Sequence, residues 1–334
     1  MPKIQLDSAP PDLGVWSWNA GAISCIAGPE EPRKFLASLS HVLRSTSRAG
    51  YAVLLLMALT LPCWVRSVAQ EYPYFVTYSQ EMEEPGNLDI EMFNVVGNPQ
   101  GGNRFIGSDV EFEYGLKGWW TTEFYLDGQA TQNESTIFTG FRWENRFRPL
   151  SREHWINPVL YAEFEDTSAD KTIREVVGHD GRFDFLVPNW LARADKEREI
   201  ELKLILGSNT HGWNVSENFI AEKNLAGDPW EFGYAFGISR PLRLAASARE
   251  CSFCAEKFQA GLEMYGGLGD TEGFGLHLTS QYLGPTVNWE APNGMTVAFS
   301  PQFGLNGYSI PVLYRFSVSY EIQQFLSHFH RGDQ

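Results

Sequence analysis

Histidines and basic residues are scarce in this chain, and long apolar runs are almost absent. Seven His among 334 residues, with no H-E-x-x-H pattern, leave no zinc-hydrolase helix to read. No G-x-S-x-G elbow is present, which excludes the usual α/β-hydrolase nucleophile. Lys and Arg total 26 against 41 Asp and Glu, a net charge of −15. Nucleic acid is therefore excluded as a partner, because phosphate binding needs basic patches. Only one segment is continuously apolar, so the chain is not a multi-span helical membrane protein. Nothing in the residue pattern calls for a cofactor or a resident metal.

Aromatic residues, by contrast, are abundant. They make up 14% of the chain, as 23 Phe, 13 Tyr and 11 Trp, alongside 31 Gly. Short strands with rings on one face and carboxylates on the other reconcile these rings with the acidity.

The single apolar run lies between residues 44 and 69. Arg44 and Arg48 form a basic start, Tyr51 to Val65 an apolar core of fifteen residues, and Ser67-Val68-Ala69 a small-residue cleavage site before Gln70. This is the three-part pattern of a secretory signal peptide. Fifteen residues interrupted by Pro62 fall short of the roughly 20 that a helical anchor needs. A lipoprotein reading at Cys63 is weaker, because Pro62 precedes it. Residues 1–43 hold turn residues without periodicity and read as a disordered extension ahead of the true translation start.

From 70 to 334 the dominant pattern has period two, the mark of strands with chemically different faces. In VLYRFSVSYEI, Val312, Tyr314, Phe316, Val318, Tyr320 and Ile322 share one face; Leu313, Arg315, Ser317, Ser319 and Glu321 share the other. The stretches 108–116, 135–148, 196–206 and 228–240 alternate likewise, with Ile137, Phe141 and Trp143 assigned to one face of the second. Further candidates lie near 88–95, 119–128, 157–165, 257–265, 273–282, 284–290 and 294–303. The expectation is an all-β fold: an antiparallel transmembrane β-barrel of about twelve strands, give or take two.

A soluble sandwich would alternate too, but its inner faces favour aliphatics. Here Trp119, Trp120, Trp143, Trp230 and Trp289 fall near strand ends, as in the aromatic girdles of a bacterial outer-membrane barrel. Outer-membrane lipid and the barrel-assembly machinery are then the expected partners. Phe325 and Phe329, just past the last strand, suit the terminal aromatic that such machinery reads. HFHRGDQ extends beyond that point.

Cys251 and Cys254 form a C-x-x-C pair. A disulfide is the default in an oxidising compartment. A metal site would want two more ligands, and a c-type haem would want His where Ala255 stands. This C-x-F-C-x-E turn, with the EMYGGLGD and TSQYLGPTVNW segments after it, resembles a family of uncharacterised, porin-like outer-membrane proteins. That resemblance implies location and fold, and no activity.

The residues expected to face the lumen are Glu111, Glu113, Arg142, Glu144, Arg146, Glu199, Glu201, Lys203, Glu231 and Arg315. Glu123, Glu163 and Glu165 fall on the same faces. An acidic lumen attracts cations and fits a channel for small solutes. The same residues could instead fill a narrow interior with Glu–Arg pairs, giving a non-conducting structural or interaction barrel. A membrane-embedded lipid hydrolase is the third reading, with His211 or His277 beside a hydroxyl; no catalytic residue is assigned.

Overall fold

The computed structural model describes residues 72–330, apart from 169, 170, 173, 195 and 246–250. The expected signal peptide and extension lie outside the described residues. Twelve antiparallel strands close into a barrel, each pairing with its sequence neighbours. They are β1 (Leu88–Gly97), β2 (Phe105–Lys117), β3 (Trp120–Thr131), β4 (Thr136–Phe147), β5 (Asn157–Ser168), β6 (Lys196–Thr210), β7 (Trp213–Asn224), β8 (Trp230–Pro241), β9 (Phe258–Asp270), β10 (Gln281–Glu290), β11 (Met295–Gly304) and β12 (Val312–Ile322). β1 pairs with β12 from Leu88↔Ile322 to Gly97↔Leu313, which removes the last free edge.

The predicted number of strands holds, through two errors that offset each other. The segment near 273–282 alternates in sequence, yet residues 271–280 form a loop before β10. Gly275 at φ 144° and Leu278 at φ 63° leave the extended conformation a strand requires. Conversely β7, with its Asn- and Ser-rich inner face, carries too weak a contrast to have been read as a strand.

Alternation also breaks once inside a strand. Asp127 pairs with Gly140 and Gly128 with Phe138, so Thr139 is an extra residue between them. This bulge puts Ile137 on the inner side with Arg142, and leaves Phe138 as the outward ring at 65% exposure. The expectation that Ile137 shares a face with Phe141 and Trp143 is corrected accordingly.

The barrel inverts the polarity of a water-soluble domain. Outward positions such as Leu126, Leu160, Leu202, Phe219, Phe299 and Phe316 are exposed, whereas Asp127, Glu144, Glu201, Glu263 and Arg315 are buried inside. Trp119, Trp120 and Phe147 stack at one end of the outer face, the end that also holds the start of β1 and the finish of β12. Cys251 and Cys254 form the expected disulfide in the β8–β9 connection at that same end. There Phe253 stacks on Trp289 at 4.9 Å, and the Trp289 indole donates to the Ser252 carbonyl.

Candidate functional site

The inner wall carries an acidic row that results from strand register. Glu321 stands opposite Asp89, Asp89 opposite Glu113, Glu113 opposite Glu123, and Glu123 opposite Glu144. The row continues through Glu163, Glu201, Glu222 and Glu231 to Asp270. One acidic residue on each strand from β12 round to β9 thus faces the next, at the inter-strand spacing of about 4.8 Å. Because barrel strands tilt, a row across them climbs the wall. It begins beside the terminal ends of β12 and β1 and finishes at the opposite end, where β8 starts and β9 stops.

Like charges placed directly opposite destabilise a sheet, and few cations compensate these. Arg146 bridges Glu113, Glu123 and Glu144. Arg142 meets Glu163 at 3.6 Å, and Lys203 meets Glu201 at 2.7 Å. Near the far end His179 lies 3.7 Å from Asp270. A second row adds Glu91 opposite Glu111, and Arg142 opposite Glu165, which faces Glu199.

Every lumen residue expected from alternation is buried or half-buried within the barrel: Glu111, Glu113, Arg142, Glu144, Arg146, Glu199, Glu201, Lys203, Glu231 and Arg315. The structure unites Arg142, Arg146 and Lys203 with the row. Arg315 stands apart, donating to the Tyr265 hydroxyl at 2.9 Å and the Arg174 carbonyl at 3.2 Å. Asp89, Glu222 and Asp270 were missed as row members, because cross-strand register is a long-range property.

Two segments enter the lumen. Residues 72–87 rise from the terminal end and return to it, forming a strap. The amides of Phe75, Val76 and Thr77 donate to the Glu263 carboxylate at 3.1, 2.8 and 2.8 Å. Asn218 clasps the backbone of Tyr78, accepting its amide at 2.6 Å and donating to its carbonyl at 2.9 Å. The Tyr78 hydroxyl donates to Glu144 at 2.9 Å, and the Glu83 amide to Thr121 at 3.2 Å. Gly115 on β2 permits the approach: a Cβ there would lie 2.2 Å from the Glu84 carbonyl oxygen. Burial and the neighbouring Glu321 carboxylate push Glu83 up to about 7.

The second segment is the β5–β6 connection, which enters from the opposite end. Arg174 forms ion pairs with Asp109 at 2.9 Å and Glu111 at 2.7 Å. Glu175 meets Lys203 at 2.8 Å. Gly107 opens the wall here, since a Cβ would stand 2.2 Å from the Lys171 carbonyl oxygen. The two inserts share one apolar cluster, in which Phe75 and Val76 join Val176, Phe93, Phe105 and Tyr265. Below that layer remains a cavity of about 380 Å³. Its lining holds Glu81, Glu83, Asp89, Glu91, Glu111, Glu113 and Glu123 against two cations, Arg146 and Arg174.

The histidines considered for ester hydrolysis lie elsewhere. His211 occupies the β6–β7 turn at φ 50°, with its ring 3.0 Å from the Thr210 hydroxyl. His277 is exposed in the loop before β10. The structure does not bring the two together: those connections lie at opposite ends of the barrel.

No family model matches the chain, and no curated protein sequence matches it. Among solved structures the chain is similar to a KdgM porin at 8% identity and TM-score 0.45, over 70% of this chain and 98% of that one. An outer membrane channel from Pseudomonas putida F1 matches at 10% identity and TM-score 0.43, over 75% and 99% of the two chains. The outer membrane phospholipase A of Escherichia coli matches at 9% identity and TM-score 0.36, over 72% and 94%. Similarity at this level assigns no activity.

Proposed function

We propose that this chain is a bacterial outer-membrane β-barrel that gives small, positively charged solutes a path along its inner wall. The apolar outer face supports the membrane setting, since lipid accepts only a closed sheet with its polar groups inside. Export through the signal at 44–69, and insertion by the assembly machinery into outer-membrane lipid, belong to this reading. The observation that carries the transport assignment is the continuous carboxylate row from one end of the barrel to the other. Such a row costs stability through repulsion and lowers the energy of a cation wherever Arg146, Arg142 and Lys203 leave its carboxylates unpaired.

The apolar layer between the two inserts favours a second reading, a non-conducting barrel. Heat-modifiable gel mobility in an outer-membrane fraction, followed by planar-bilayer recording, separates these readings. The channel reading expects cation-preferring conductance that weakens when Asp89→Asn and Glu231→Gln interrupt the row. Silent bilayers under all conditions support the structural barrel.

A further inference from the structure

After the ion pairs of the terminal-side cavity are assigned, four carboxylates remain: Glu81, which accepts from the Asn209 side chain at 3.2 Å, and Glu83, Asp89 and Glu91. Arg146 and Arg174 are engaged by Glu113, Glu123 and Glu144, and by Asp109 and Glu111, respectively. Glu83 on the strap and Asp89 and Glu91 on β1 form no ion pair with any described residue, yet all three line the cavity. Five buried polar atoms in the same lining also lack hydrogen-bond partners, on Thr77, Glu83, Asp89, Glu123 and Arg146, the last two being ion-paired to each other. They include the hydroxyl of Thr77 and one oxygen of Asp89, on residues each 6% exposed. Thr77 is uncharged and belongs to the strap, so it points to a ligand independently of the acidic wall.

We propose that this vestibule binds linear aliphatic oligoamines, a substrate class that rests on the cation-path reading above. Three features select that chemistry. Even with Glu83 holding its proton, the carboxylates left without an ion pair call for more than one positive centre. Asp89 and Glu113 stand on adjacent strands, and Glu91 and Glu111 likewise, so carboxylates recur about every 4.8 Å. Ammonium groups separated by a few methylenes span a comparable distance. Finally, Phe75, Val76, Met82 and Ala298 share the lining and would cover the methylenes, which a hydrated metal ion lacks. A volume near 380 Å³ falls within the range of small-molecule sites.

The test is calorimetric titration of the full-length protein, purified in detergent at low ionic strength, with spermidine, propylamine and magnesium chloride. Spermidine should bind at least about tenfold more tightly than either of the others. Asp89→Asn with Glu91→Gln should weaken it by about tenfold or more, the scale of one charge-assisted hydrogen bond. Glu91→Gln alone serves if the double variant loses heat-modifiable mobility. Magnesium binding as tightly as spermidine and displacing it would overturn the proposal in favour of an inorganic cation site. Absence of spermidine binding, with cation-preferring conductance intact, would refute the ligand class and leave the path. Absence of both would refute both.

Discussion

The Glu263 carboxylate on β9 accepts the backbone amide of Val76 at 2.8 Å, inside the barrel. Phe75 and Thr77 donate to the same group, and Gln302 adds a side-chain donor at 3.0 Å. One wall residue thus gathers three consecutive strap amides at the strap's deepest point. Glu263→Ala leaves those donors buried and unpaired, at roughly 1–3 kcal/mol each where no water replaces the carboxylate. The expected outcome is a strap that leaves the lumen more often. Val76→Cys reports this through its rate of modification by a water-soluble maleimide, slow alone and faster combined with Glu263→Ala. Equal rates contradict the clasp.

Strap docking should weaken as pH rises. Burial, reinforced by Glu321, lifts Glu83 from 4.5 to about 7, so the docked strap holds that proton to higher pH than a free strap does. Its contribution is complete below the ordinary glutamate range and is lost as pH rises through about 7. Labelling of the thiol at position 76 should accelerate between about pH 5 and about pH 8 after correction for thiolate content. Glu83→Gln should flatten that profile. An unchanged profile in the variant excludes Glu83 as its source.

Arg142 is 5% exposed and meets Asp109, Asp127 and Glu163 at 3.4, 3.1 and 3.6 Å. Replacing it with Met removes the cation and leaves the carboxylates, a loss of about 3–5 kcal/mol. Arg142→Lys keeps the charge but not the planar fork, and should fall between the two. The temperature at which the folded gel band disappears measures the order.

On the outer face, Leu202 lies near the middle of β6 and is 43% exposed. Arg at that depth should destabilise the barrel by about 2–4 kcal/mol in lipid. Arg240 already points outward near the end of β8, so Arg240→Leu should change stability much less. Urea unfolding in lipid vesicles compares the two. Equal effects would argue against a bilayer around this belt.

The legible parts of this molecule follow from local alternation. β12 and β8 were readable because rings oppose Ser, Gly and Glu residue by residue. β7 was not, since Asn214, Ser216 and Asn218 face its outward residues with little contrast in size or pattern. The bulge at Thr139 is set by pairing with β3, which no window along β4 contains. The lumen carboxylates emerged from alternation alone, whereas their alignment into one row is a product of registers spanning the sheet. The strap was invisible for a similar reason: it is held by Glu263, Asn218 and Thr121, remote in sequence from Phe75 to Glu83.

Reversal potential across a salt gradient, recorded in planar bilayers on the Glu263→Ala variant, tests the central claim most directly. With the strap loosened, the potential should favour potassium over chloride. The preference should shrink when Asp89→Asn and Glu231→Gln break the row near its two ends. A chloride preference, or a cation preference indifferent to those two changes, would contradict the account.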